Sequence, residues 1–249
     1  STLFTLDIYK KLYPNKPVVL VRIDGHAILA NSKALYKLEE VWDLKQAGAE
    51  VLYSNGSPSG VLLENTADKL KSLIPPTGTA EMERALLKAQ EICFSYGLTS
   101  VGDAGLGLEK IEILKNLIDS NLLKINIYQM LSSDSLSLEF IRKVGKQKHK
   151  SLTINSIKIY ADGALGSRGA YLLKDYSDHH GHRGIVVTSN EEMKKLCSIA
   201  YDAGFQVNTH AIGDGAARNV IDIYQEFLKP GNDKRWRIEH AQIIHPDDF

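Results

Sequence analysis

The chain reads as an α/β protein built on a parallel sheet, and three observations predict that class. Short apolar runs bounded by turn residues alternate with amphipathic, helix-spaced stretches along most of its 249 residues. Strict alternation of that kind argues for parallel strands with helices outside them. Two of the runs close on a histidine, Gln206-Val-Asn-Thr-His210 and Arg235-Trp-Arg-Ile-Glu-His240, and the segment between them has helical periodicity through Ala216, Val220, Ile223, Tyr224 and Phe227. A right-handed strand–helix–strand crossover brings both imidazoles to one end of one sheet, where parallel α/β proteins build their sites and where two histidines can share a metal ion.

The elements follow in order. In the front segment, Lys16 to Arg22 predicts a strand, and Asn31-Ser-Lys-Ala-Leu35 with Leu38 predicts a capped helix start. The runs Glu50 to Tyr53 and Val61 to Glu64 flank Gly56-Ser-Pro-Ser-Gly60 and predict a hairpin. From there the pattern predicts helix 81–96, strand Leu98 to Gly102, helix 107–119, strand Ile125 to Leu131 and helix 136–145. Strand 153–161, a long loop, helix 190–203, strand 205–211, helix 215–228 and strand 236–241 complete it.

Composition narrows the partners. With 43% hydrophobic and 24% charged residues the chain has what a globular core needs, so disorder is excluded as its general state. Thirty basic residues balance thirty acidic ones, which gives no electrostatic case for nucleic acid or an anionic membrane and favours a small-molecule substrate. Cys93 and Cys197 lie in amphipathic helical patterns without metal-type spacing and read as buried, inert thiols. No window reaches transmembrane length and no signal peptide is visible. The expected location is cytoplasmic, with a signal peptide left open because the natural N-terminus is expected to lie outside this sequence.

Lys158 needs an explanation, because it stands inside the apolar run Ser156-Ile-Lys-Ile-Tyr-Ala-Asp162. A buried ammonium is costly unless paired, neutralised or chemically modified. Three explanations are open: Schiff-base chemistry, carboxylation to a metal-bridging carbamate, or an edge strand that turns the lysine to solvent.

Five blocks carry a family resemblance. They are Arg22-Ile-Asp24-Gly-His26 with Asn31-Ser-Lys-Ala-Leu35, Gly97 to Gly105, Asp162-Gly163-Ala-Leu-Gly166-Ser-Arg168, His210-Ala-Ile-Gly-Asp214, and Arg237-Ile-Glu-His240-Ala-Gln242. With Lys158 they resemble the amidohydrolase superfamily of metal-dependent hydrolases, and more narrowly amidohydrolase family 3, the YtcJ-like and N-substituted formamide deformylase-like group. The resemblance implies a partial (β/α)8 TIM barrel, about strands two to six, over residues 80–249, with residues 1–79 an insertion segment walling the active-site mouth. It implies Lys158, His210 and His240 as ligands of one or two Zn2+ ions, Lys158 being carboxylated. Asp24, His26, Asn31, Asp162 and Arg168 are the implied substrate contacts. The implied reaction is hydrolysis of a small molecule's amide-like C–N bond by metal-activated hydroxide.

Two features of the superfamily have no counterpart here. One is a His-x-His pair closing the first barrel strand; His179, His180 and His182 instead sit in a polar loop around Asp178 and Gly181. The other is the general acid/base Asp of the eighth strand, expected downstream of Phe249. The expectation is therefore an internal piece of a longer enzyme, inactive alone, that forms a homo-oligomer or associates through open barrel edges. Two other classes stand beside it: a metal-free Schiff-base lyase or aldolase-like barrel using Lys158, and a non-catalytic regulatory or binding domain. Among the remaining residues, Asp214 reads as the cap of the helix at Gly215. Asp103 reads as a turn residue and Glu239 as a structural group opposite His240.

Overall fold

The computed structural model describes residues 12–23, 25–45 and 50–249, in two compact units. One comprises the front of the chain to Pro76 together with Gly163–Val187, and the other comprises Thr77–Asp162 with Thr188–Phe249.

The first unit is an antiparallel sheet with two helices. Its strands β1 (Val19–Val21), β2 (Ala27–Ala30), β3 (Val51–Ser54) and β4 (Ser57–Leu63) are ordered β1-β2-β4-β3. The hairpin predicted around Gly56 is the β3–β4 pair. Helix α1 (Ser32–Glu39) begins where the sequence predicts, because the Asn31 side chain accepts from the Ala34 backbone N–H as its N-cap. Helix α2 (Glu64–Lys71) follows β4 directly. The buried faces of the sheet and both helices pack as one apolar cluster of Ile28, Ala30, Ala34, Leu38, Leu62, Ala67 and Leu70.

Helix α2 starts under constraint. Glu64 has φ +41°, uncommon for a residue with a side chain, and is buried. Its backbone N–H donates to the His26 carbonyl, and its Oε2 lies 2.7 Å from His26 Nδ1. Burial, with Glu64 nearby, pushes the Glu50 carboxyl up from 4.5 to about 7, against a hydrogen bond from the Asn65 backbone.

The second unit is a parallel half-barrel. After α3 (Thr79–Ser95) come β5 (Ser100–Leu106), α4 (Ile111–Asp119), β6 (Asn126–Leu131), α5 (Ser135–Lys143) and the short β7 (Gln147–His149). Then follow β8 (Leu152–Tyr160), α6 (Asn190–Asp202), β9 (Gln206–Ala211), α7 (Asp214–Phe227) and β10 (Arg237–His240). The sheet runs β10-β9-β8-β6-β5 with every step parallel, and β7 adds an antiparallel pair on β8. Helices cover one face: Ile111, Leu114 and Leu117 of α4, Leu138 and Ile141 of α5, Met193, Leu196 and Cys197 of α6, and Val220 and Ile223 of α7 are all buried. Thr209 Oγ1 and the Tyr224 hydroxyl, 2.8 Å apart, mark that face of β9, so His210, Asn208 and Gln206 point the other way.

Three local expectations need correcting. Helix α7 starts at Asp214 with Gly213 at its N-cap position, one residue before the expected start, and Asp214 Oδ1 accepts from the adjacent Gly215 N–H. Asp103 is not a turn residue, since β5 continues through Leu106. Cys93 is half-buried, on a helix with no buried residue, whereas Cys197 is fully buried and its thiol is pushed up to about 12 by that burial. Among the described residues no helix is long and apolar enough to cross a membrane.

The C-terminal ends of β8 and β9 are tied by one carboxylate. Asp162, fully buried, accepts from the Ile212 N–H at 2.9 Å and the Gly213 N–H at 2.8 Å. Asp162→Ala leaves both donors buried and unmet, and an equilibrium urea titration should register a loss of about 3 kcal/mol. The folded Glu50 carboxyl keeps its proton up to about 7, whereas an unfolded one loses it near 4.5. The folded state thus binds more protons between those values, so stability falls as pH rises across that window and is level above it. Glu50→Gln should remove the fall and gain about 1 kcal/mol at pH 8, after allowance for screening; equal thermal midpoints for the two proteins at pH 8 would refute this.

Candidate metal centre

The half-barrel gathers four predicted residues at the C-terminal ends of neighbouring strands. Parallel register sets Tyr160 of β8 beside His210 of β9, and His240 closes β10 opposite Ala211. The His210 and His240 rings meet edge to face with centroids 4.6 Å apart, and Tyr160 lies 5.5 Å from His210 on the other side. His210 is buried, and its Nε2 stands 3.4 Å from Asp162 Oδ1. A carboxylate in that position fixes the orientation of an imidazole that is to act as a ligand. His240 is exposed and takes φ +73°, a left-handed conformation that turns the chain sharply as the strand ends.

Lys158 does not turn to solvent from an edge strand: β8 is paired on both flanks, and the residue is 4% exposed. Its Nζ lies over the Tyr160 ring, 4.8 Å from the centroid. Burial pulls its pKa from 10.5 down to about 8, with Glu239 opposing the fall and Arg237 adding to it. Gly105 is called for by its φ of +89°, since a Cβ there would only reach ordinary contact distance of the Tyr160 hydroxyl (3.4 Å) and the Lys158 stem (3.8 Å).

Tyr160 and Glu239 were not singled out as site residues by the sequence. Glu239 was expected to point away from the site, but it pairs in register with His210 and so shares its face, bonded to Arg237 and close enough to act on Lys158. The signal was in the strand: Trp236 packs on the helix-side residues Tyr201, Tyr224 and Phe227, which puts 237 and 239 on the opposite face.

The remaining predicted residues belong to the first unit, apart from Asp24, which lies outside the described residues. The His26 ring faces the Glu64 carboxylate. Asn31 spends its amide on the fold: Oδ1 accepts from the Val18 and Ala34 N–H groups, and Nδ2 donates to the Lys16 carbonyl. Arg168, at φ +58°, forms a two-nitrogen ion pair with Asp178 among exposed side chains, and the loop ring of His182 bonds the Arg168 carbonyl and lies 5.1 Å from the His179 ring.

Among the described residues no three His, Cys, Asp or Glu side chains converge as a ready metal site. The donor set around β8, β9 and β10 nevertheless suits a divalent ion. It offers two adjacent imidazoles and an amine whose depressed pKa leaves a neutral fraction at pH 7, open to conversion into an oxygen donor.

The chain is 28% identical to the Arabidopsis thaliana protein LONG AFTER FAR-RED 3, over 95% of its own length and 43% of that protein's. It is 28% identical to the putative amidohydrolase YtcJ of Bacillus subtilis, over 94% of the chain and 45% of the relative. An uncharacterized metal-dependent hydrolase from Pyrococcus horikoshii OT3 superposes with a TM-score of 0.71 at 26% identity, covering 94% of this chain and 46% of that one. A second, from Pyrococcus furiosus, gives 0.67 at 27% identity, covering 94% and 47%. The chain thus spans less than half the length of the relatives it matches, and its curled parallel sheet is part of a TIM barrel of the metal-dependent hydrolase type. The amidohydrolase family model matches residues 2–249, and the chain therefore belongs to that family, amidohydrolase family 3.

Proposed function

We propose that this chain carries the metal-holding side of a hydrolase that cleaves an amide-like C–N bond in a small molecule. The observation that carries this reading is the pair of imidazoles, 4.6 Å apart, beside a buried lysine of depressed pKa. His210, His240 and Lys158 are the proposed ligands for one or two divalent ions, zinc being the ion these donors suit well. Such an ion supplies Lewis acidity to the scissile carbonyl and lowers the pKa of the attacking water.

The chain's own residues supply the rest. Asp162 holds the His210 ring through Nε2, and the same carboxylate fixes the turn after β9. The neutral amine of Lys158 takes up dissolved CO2 as a carbamate, forming an N–C bond and releasing one proton to water. Tyr160, 38% exposed, presents its phenol on the face that carries His210 and is a proposed substrate contact. Asp24, His26 and Arg168 remain the substrate contacts the family pattern proposes, whereas Asn31 and Asp162, buried and bonded to backbone groups, serve the fold instead. Residues 1–79 are proposed as the specificity element and 80–249 as the metal-bearing part.

The barrel edges support a proposal about association. β5 and β10 each pair on one side only among the described residues, and α3, which precedes β5, exposes Ile92 and Phe94. Further barrel strands, or a second copy, would satisfy the open N–H and C=O groups. The chain by itself is proposed to be inactive.

A second reading draws on the same lysine. An amine with a pKa of about 8 is also suited to imine formation, although this leaves the paired histidines without a shared purpose.

Elemental analysis separates the two, on this chain and on its native-length protein under zinc-replete conditions. The hydrolase reading expects bound divalent metal in the native-length protein, lost in His210→Ala, His240→Ala and Lys158→Ala. Absence of metal from that protein, with borohydride trapping of a carbonyl compound on Lys158, would overturn it in favour of the imine.

A further inference from the structure

Asn208 is the strongest unexplained group in the half-barrel. It sits at the middle of β9 on the face that carries His210, in register with Lys158 of β8 on one flank and Arg237 of β10 on the other. It is fully buried, and neither its amide nitrogen nor its amide oxygen has a hydrogen-bond partner among the described residues. No other buried side chain among the described residues has both its nitrogen and its oxygen orphaned; Gln129, for comparison, lacks a partner only for its oxygen and donates its nitrogen to the Asp103 and Met130 carbonyls. Native proteins rarely leave a whole amide unmet at no exposure, because each buried, unpaired group weakens the fold.

The chemistry of the neighbour says what would meet it. Adjacent strands lie about 4.8 Å apart, so a lysine and an asparagine in register on one face are side by side. An ammonium offers donors alone and could satisfy the Asn208 oxygen but never its nitrogen; in this structure the Lys158 nitrogen instead lies over the Tyr160 ring. A carbamate on Lys158 offers one N–H donor and two oxygen acceptors in a single plane. That is the complement of a carboxamide, which donates through Nδ2 and accepts through Oδ1. Arg237 on the far flank contributes positive charge toward the new anion, while its partner Glu239 opposes it. The carbamate therefore needs a directional partner as well as a charge.

We propose that Asn208 is the positioning residue of carboxylated Lys158, pairing with the carbamate through both amide atoms and so fixing the plane in which its oxygens face the metal. This rests on the metallohydrolase reading above. The modification joins the neutral Lys158 nitrogen to the carbon of dissolved CO2, opens one C–O π bond and releases a proton to solvent. Asn208 takes no part in the bond change and acts on the product.

The test is carbon-13 NMR of the native-length protein equilibrated with labelled bicarbonate, the carbamate signal being assigned by its loss in Lys158→Ala. Asn208→Leu keeps shape and removes both polar atoms. It should lower the labelled fraction about tenfold at equal CO2, the effect of losing a paired amide, and reduce bound metal in parallel. Its thermal midpoint should equal or exceed the parent's, since a merely structural orphan amide gives no label change and the same gain in stability. Asn208→Asp keeps a polar group but repels the carbamate, so it too should lose the label; it decides the matter if the leucine variant fails to fold. A labelled parent with equally labelled variants would overturn the role of Asn208 and leave the carbamate standing. An unlabelled parent would overturn the carbamate itself, and the role of Asn208 with it.

Discussion

The register between β8 and β9 is the constraint on which the rest of the half-barrel depends. It sets Lys158 against Asn208 and Tyr160 against His210, and because side chains alternate along a strand, a slip of β9 by one residue would send Asn208 and His210 to the helix side. The buried Asp162 carboxylate holds the register where it matters, just beyond the end of β8, by accepting two backbone N–H groups from the turn after β9. The same side chain stands 3.4 Å from His210. One residue thus sets both the pairing of the strands and the angle of an imidazole, which couples stability of the sheet to geometry of the site.

Burial then supplies the reactivity. The helices on the far face seal the β8 and β9 backbones from water, and the near face at Lys158, Asn208 and His210 is hardly more accessible. In that surrounding a lysine loses much of its preference for the charged form, and an amide without a partner becomes a liability to the fold. Polar groups kept in such a place against stability usually answer to function.

Much of this was legible in the sequence. The alternation of apolar runs with helical periodicity predicts all five barrel strands, four of them to within one residue at each end, while β5 begins two residues and ends four residues later than Leu98 to Gly102. Lys158, His210 and His240 were legible because their types are anomalous where they stand. Glu239 was misread because its facing was judged from the neighbouring His240, whose left-handed backbone breaks the alternation at that point. Asn208 passed unremarked because an asparagine in an apolar run announces nothing until its hydrogen bonds are accounted for. β2 and α2 went unseen because Ala27–Ala30 is short, and because Glu64 enters its helix through a backbone conformation that no propensity scale favours.

Glu64 has a further consequence in the first unit. A Cβ at Gly163 or Gly169 would meet the Glu64 carboxylate and oblige that buried side chain to shift, though about a hundred residues separate them in sequence. The three positions are consequently coupled in space. A substitution at either glycine is harmful while the glutamate remains and becomes tolerable once a smaller residue replaces it, so their effects in combination cannot be added from the single changes. His26, whose ring leans on the same carboxylate, is drawn into that dependence.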